Sequence, residues 1–216
     1  MNSLKEAASL HKNVPPDWYF QSIRRNVLQR YWHNMRFREV KKEIDKAKSV
    51  LDIGSADGLF SHEIMSKTKA DKLIGVDVLQ SSVNWANKHW RTKKMEFKLG
   101  DAHKLPFAES EFDAVFALEV MEHVRSPKIV LKEIKRVLKK DGYAILLVPT
   151  DSVLFTIIWW FVTNFWWAKI WDNTHIQSFS KDNKLSKYAK AAGFGVEVDR
   201  NFAWGMLNLV KIRKIK

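Results

Sequence analysis

Apolar positions along the middle of the chain fall into short runs separated by amphipathic stretches. Ser49–Ile53, Lys72–Val76, Phe112–Leu118 and Tyr143–Val148 are apolar along most of their length rather than alternating, and Met95–Leu99 is a further short run that predicts a strand. That pattern predicts strands buried on both faces. Between them, Leu59–Lys67, Ser81–Trp90 and Pro127–Lys139 predict helices. In the last, Ile129, Val130, Ile134, Val137 and Leu138 share one side, and Lys132, Lys135, Arg136 and Lys139 the other. Asp141-Gly142 is expected to end that helix and start the fifth strand. Residues 16–46 read as mainly helical, with Ile23, Val27, Tyr31, Met35 and Phe37 at roughly helical spacing behind Pro15 and Pro16. Late in the chain, Asp182–Ala192 predicts a helix closed by Gly193. Phe194–Val198 and Met206–Ile212 predict two closing strands. Too little chain joins them for a crossover helix, so they should pair antiparallel. Strands alternating with helices place the chain in the α/β class, with a parallel sheet covered on both faces.

One segment breaks the pattern. From Ser152 to Ala168 no side chain is charged, and Ile157–Trp171 holds Trp159, Trp160, Trp166, Trp167 and Trp171. Its length is near the lower limit of a membrane span. A span here would separate the closing strands from their own sheet. Asn164 interrupts the run, and tryptophans fill its centre rather than its ends. The readings that remain are a lid over a substrate, a helix at a lipid surface, a subunit interface giving a homodimer, and plain core. Trp160, Trp167 and Trp171 share a helical face and are the candidate acceptor contacts. Lys169, Lys181, Lys184, Lys187 and Lys190 could meet lipid phosphates.

Composition narrows the chemistry. Lys and Arg outnumber Asp and Glu by 37 to 24, a net charge of +13. Such a balance favours anionic partners, or simply marks a soluble surface. Without a cysteine, the chain has no disulfide framework, thiolate zinc site or cysteine nucleophile. No metal site is assigned. The first residues lack a basic region followed by an apolar core, so no secretory signal is read. The expected location is cytoplasmic, peripheral on the inner face of the membrane.

The most informative stretch is Leu51-Asp-Ile-Gly-Ser-Ala-Asp-Gly58. Glycines after a first strand allow a tight turn and a close backbone approach to a ligand at the sheet's carboxyl edge. Asp77 ends the second strand, where a carboxylate can accept from both hydroxyls of a ribose. A dinucleotide fingerprint starting at Gly54 would need glycines at Ala56 and Leu59, so NAD and FAD are disfavoured. An acidic loop, with Asp52 and Asp57 expected beside the ligand, also repels a diphosphate and tolerates a ligand carrying an ammonium group.

Five segments in order resemble the class I S-adenosylmethionine-dependent methyltransferases, in their small-molecule and lipid-modifying group. LDIGSADG is similar to the first motif of that family, GVDV to the second and GDAHKLPF to the third. FDAVFALEVMEHV resembles the fourth strand and its ligand-facing loop, and VLKEIKRVLKKDGYAILLVP the helix and strand that follow. The likeness covers about residues 48–150. It departs at Ala56, where the family carries its middle glycine. The implied fold is a Rossmann-like, seven-stranded, mainly parallel sheet with the last strand antiparallel, helices on both faces and an N-terminal helical extension. The implied organisation is an extension over 1–47 and a methyltransferase domain over 48–216, with an aromatic-rich insertion at 151–179.

The implied cofactor is S-adenosyl-L-methionine. Asp52, Gly54, Ser55, Gly58, Asp77, Val78, Asp101, Ala102 and Glu119 are its candidate binding residues, with Asp101 beside the adenine. His123 and His175 are the candidate catalytic residues, His123 as a general base because imidazole titrates near neutrality and His175 as a residue facing the acceptor; the alternative is that each caps or packs. Tyr19 and Trp32 could close over the cofactor or pack on the sheet. The expected reaction is methyl transfer to a hydrophobic or lipid-linked small-molecule acceptor such as a quinone. An RNA methyltransferase using the basic N-terminal helices is the second reading, although no D-P-P-Y or N-P-P-Y follows the fourth strand. A non-catalytic binding protein of the same fold is the third.

Overall fold

A computed structural model describes residues 8, 9, 11, 13–150, 152, 154, 156, 157, 160 and 184–215. His175, Trp167 and Trp171 lie outside these residues, as does most of the tryptophan segment. The elements run in the order α1 (Trp18–Arg25), α2 (Val27–Lys42), β1 (Ser49–Ile53), α3 (Leu59–Thr68), β2 (Lys72–Asp77), α4 (Gln80–Trp90), β3 (Met95–Leu99), β4 (Phe112–Leu118), α5 (Pro127–Val137), β5 (Leu138–Pro149), α6 (Lys184–Ala191), β6 (Phe194–Phe202) and β7 (Leu207–Lys214).

Seven strands form one sheet in the order β3-β2-β1-β4-β5-β7-β6. β1 pairs parallel with β2 and β4, β2 with β3, and β4 with β5. β7 is antiparallel to both β5 and β6. The Rossmann-like sheet with an antiparallel last strand, read from the sequence, is the observed one. Side chains alternate between two cores. Leu51, Ile53, Val115, Ala117 and Leu146 pack with Leu131, Ile134 and Val137 of α5. Val50, Leu73, Ala114, Phe116 and Ile145 pack on the other face, with Phe37 and Val40 of α2, Ile64 of α3 and Val83 of α4. Burial on both faces explains why these strands read as continuous apolar runs.

Three boundaries differ from expectation. The N-terminal helix is broken at Asn26, whose extended backbone and side chain, accepting from the N–H groups of Leu28 and Gln29, cap a second helix. The apolar spacing runs through this break, so periodicity alone does not show it. The helix expected to reach Lys139 stops at Val137, and β5 starts at Leu138. Asp141-Gly142 therefore does not end a helix. Phe112 pairs with Leu138 and Ala114 with Tyr143, so Lys139–Gly142 bulge out opposite Asp113 alone. A Cβ on Gly142 would stand 3.0 Å from the carbonyl oxygens of Asp113 and Lys139. Lastly, β6 extends to Phe202, beyond the expected Val198, because β7 pairs with it along its whole length.

α2 belongs to the sheet's packing. Arg200 of β6 donates to Glu39 Oε2 at 2.9 Å and to Glu43 Oε1 at 3.2 Å. Strand order reverses between β1 and β4, which opens a crevice at their carboxyl ends.

Candidate functional site

A cavity lies at that crevice. Asp52, Gly54, Ser55 and Ala56 from the first loop, Leu118 and Glu119 from the end of β4, and Leu147 of β5 form its floor and one side. Tyr19 of α1, Arg36, Phe37 and Val40 of α2, and Phe60 of α3 form the other. Two helices ahead of the sheet thus supply one wall.

The loop is held in a glycine-like shape. Gly54 takes φ +71, and a Cβ there would lie 2.4 Å from Val120 Cγ2. Ala56 also takes a left-handed conformation, φ 45, at the position where the resemblance expects glycine. Its N–H donates to Asp77 Oδ2 at 2.9 Å, while Leu79 N–H donates to Oδ1 at 2.9 Å. Burial raises the Asp77 carboxyl above its usual range, and the N–H groups of Leu79 and Ala56 oppose that rise. Asp52 is buried on Ser61, whose hydroxyl donates to it at 2.5 Å. Burial pushes its pKa from 3.8 to about 7, with the Asp77 charge adding to the rise.

Asp57 faces away from the cavity, contrary to an acidic loop with both aspartates beside the ligand. Its carboxylate accepts from Phe20 N–H at 2.7 Å and from Leu59 N–H at 3.2 Å. One side chain thereby caps the N-termini of both α1 and α3, where helix dipoles favour an anion. Burial raises it to about 6, against the pull of those N–H groups.

The second feature is a buried charge cluster. Arg36 of α2 is ion-paired to Glu119 just past β4, and it donates from Nη2 to His33 Nδ1 at 2.6 Å. Since a guanidinium only donates, His33 carries its proton on Nε2. Burial, then the neighbouring Arg36 charge, holds its pKa well below normal, so the ring is neutral. Glu119 sits at φ 58, a left-handed conformation pinned by its N–H bonding Leu147 O at 2.7 Å. Behind it Glu122 is 1% exposed. Burial, then the Glu119 charge, raises its pKa well above a normal carboxyl. Burial and the Glu119 charge also raise the Tyr19 phenol. Among the described residues, His33 Nε2, Arg36 Nε, Ser55 Oγ and Glu122 Oε2 are buried polar atoms without a hydrogen-bond partner. Such a group is costly unless something satisfies it.

Of the sequence candidates for the cofactor, Asp52, Gly54, Ser55 and Glu119 line the cavity, while Gly58, Asp77, Val78, Asp101 and Ala102 do not. Gly58, at φ +77, heads α3, and its missing Cβ makes room for Phe97 and Trp90 rather than lining the cavity. Val78 follows Asp77, half-buried. Asp101 lies beyond β3 and accepts at Oδ1 from the backbone N–H of His103 at 2.9 Å and from its Nδ1 at 2.8 Å. Ala102 is buried in the core beside it. His103 Nε2 accepts in turn from Ser126 N–H at 3.2 Å, tying the loop after β3 to the start of α5. His123 packs edge-on against His11 at 4.9 Å and lies 4.0 Å from Glu122; it does not line the cavity. Trp160 is 53% exposed. Sequence reasoning missed Arg36, Phe37, Val40 and Phe60 as wall residues. Tyr19 does line the cavity, while Trp32 packs against the core.

Comparison with known proteins gives a consistent family. Residues 51–146 match the family described as a methyltransferase domain. A sterol 24-C-methyltransferase of Gibberella zeae is 31% identical over 171 residues, covering 70% of this chain and 40% of that protein. The chain thus spans well under two thirds of that relative's length. A ubiquinone biosynthesis O-methyltransferase of Pelagibacter ubique is 26% identical over 205 residues, 89% of this chain and 81% of that protein. The crystal structure of the N-methyltransferase NodS from Bradyrhizobium japonicum, in complex with S-adenosyl-L-homocysteine, superposes with a TM-score of 0.67 at 16% identity. It covers 100% of both chains, a likeness of fold.

Proposed function

This chain belongs to the class I S-adenosyl-L-methionine-dependent methyltransferases, and from that premise we propose that it methylates a hydrophobic or lipid-linked small molecule. One observation carries the acceptor class. The uncharged stretch Ser152–Ala168 follows directly on β5, whose Leu147 lines the cavity. Its described residues Leu154, Ile157 and Trp160 are exposed by 40%, 50% and 53%. A sterol enzyme and a quinone-pathway enzyme among the relatives agree with that class.

The residues present fit the cofactor. A methionine end is a zwitterion, and the cavity wall carries a buried guanidinium nitrogen and a buried hydroxyl without partners, Arg36 Nε and Ser55 Oγ. We assign Arg36 to the carboxylate and the Gly54–Ala56 backbone to close approach. Asp77 takes the ribose hydroxyls, since a carboxylate that accepts two N–H bonds keeps lone pairs for more. Asp101, its Oδ1 fixed by His103, takes the adenine amine.

Bound, the cofactor supplies a sulfonium methyl that is already activated for in-line displacement. The protein's part is to position the acceptor and exclude water. The test is a transfer assay with methyl-labelled cofactor and three acceptors: a prenylated quinol in detergent, a water-soluble catechol and bulk tRNA. Label in the organic phase with the first acceptor supports the reading. Transfer to tRNA or to the catechol alone contradicts it. His123→Gln should leave both turnover and cofactor affinity unchanged, because His123 does not line the cavity.

A further inference from the structure

The outer side of the α1–α2 corner remains to be explained. Val27, Leu28 and Tyr31 are exposed by 68%, 66% and 67%. They begin the second helix just after its Asn26 cap, and Val27 and Tyr31 lie one helical turn apart on one face. Arg24, Arg25 and Arg30 flank them and are exposed. No Asp or Glu occurs between Asp17 and Glu39. Apolar side chains set among arginines, in a stretch of sequence without an acid, are unusual on a plain soluble surface.

We propose that this corner docks on an anionic lipid surface. Charge complementarity selects the occupant. The arginines suit the negative potential of acidic headgroups, while Val27, Leu28 and the amphipathic Tyr31 ring suit the headgroup–acyl boundary. A nucleic acid would use the arginines but leave two exposed aliphatic side chains in the middle of the patch without a role. The inner faces of the same helices carry Tyr19, Arg36, Phe37 and Val40, which wall the cavity. A membrane held by the outer face thus lies against the helices that wall the site. The consequence, delivery of a lipid-borne acceptor, rests on the hydrophobic-acceptor reading; the docking does not.

The test is co-sedimentation of the whole protein with phosphatidylcholine vesicles containing or lacking a third phosphatidylglycerol. Binding is expected only to the acidic vesicles, and it should weaken steeply with added salt. Arg25→Gln/Arg30→Gln should lower the partition coefficient by about fivefold per arginine, roughly 25-fold together. Val27→Ser/Leu28→Gln/Tyr31→Ser should lower it at least about tenfold. Both variants should keep the wild-type thermal midpoint and S-adenosyl-L-homocysteine affinity, so that loss of vesicle binding is separable from loss of the cofactor site. Equal binding to neutral and acidic vesicles would overturn the proposal. So would loss of binding with Trp160→Ser but not with the corner variants, or salt-sensitive binding to single-stranded RNA without vesicle binding.

Discussion

The guanidinium of Arg36, on the second helix, is ion-paired with the carboxylate of Glu119 just past the fourth strand. This pair joins the N-terminal helices to the carboxyl edge of the sheet. Their side chains are 8% and 19% exposed, so each charge depends on the other. Removing one partner of a buried pair costs about 3–5 kcal/mol, whereas replacing both can be nearly neutral. Urea denaturation of Arg36→Met should show a loss of that size, largely recovered in Arg36→Met/Glu119→Gln. An additive double variant would mean that the two side chains do not interact.

Stability should depend on pH through Asp52. Its pKa is raised by burial from 3.8 to about 7, so between these values the folded protein holds a proton that the unfolded chain has released. The unfolding free energy therefore falls as pH rises through roughly pH 4–7, by at most about 1.4 kcal/mol per unit. Asp57, raised to about 6, adds a slope of the same sign. Chemical denaturation at several pH values should show this slope, and Asp52→Asn should flatten it. A variant with the wild-type slope would contradict the assignment.

Ala56 carries a left-handed backbone, φ 45, at roughly 1–2 kcal/mol above glycine. Glycine loses more entropy on folding, which offsets part of the relief. Ala56→Gly should therefore raise stability by about 0.5–1 kcal/mol, roughly 2 °C in the thermal midpoint. It should leave the Asp77 hydrogen bond intact. A lowered midpoint would show that the loop is not strained.

Asp57 caps two helices with one carboxylate. Asp57→Ala should cost about 1–2 kcal/mol. It should also speed hydrogen exchange at the amide of Phe20 more than at those of the sheet. Unchanged exchange in α1 would show that the loop does not hold this helix.

The sheet was legible because strands buried on both faces leave apolar runs, and the helices between them leave amphipathic ones. Gly54 and Glu119, which line the cavity, could be placed at strand ends from the motif order. The helical wall was not legible. Arg36 stands among Arg24, Arg25, Arg30 and Arg38, and periodicity does not tell the one buried arginine from its exposed neighbours. Its partner is 83 residues away, and Asp57 finds Phe20 at a separation of 37. Local spacing carries no trace of such pairings. The bulge at Lys139–Gly142 was misread because Asp-Gly after an amphipathic run is also what ends a helix.

The most direct test of the cavity as the cofactor site is calorimetry with S-adenosyl-L-homocysteine. The wild-type protein should bind one equivalent. Charge-assisted hydrogen bonds are worth about 1.5–3 kcal/mol, so Asp77→Asn and Arg36→Lys should each weaken binding about tenfold or more, with the folded state confirmed by circular dichroism. Binding of the product with unchanged affinity in both variants, or no binding by the wild-type protein, would contradict the site described.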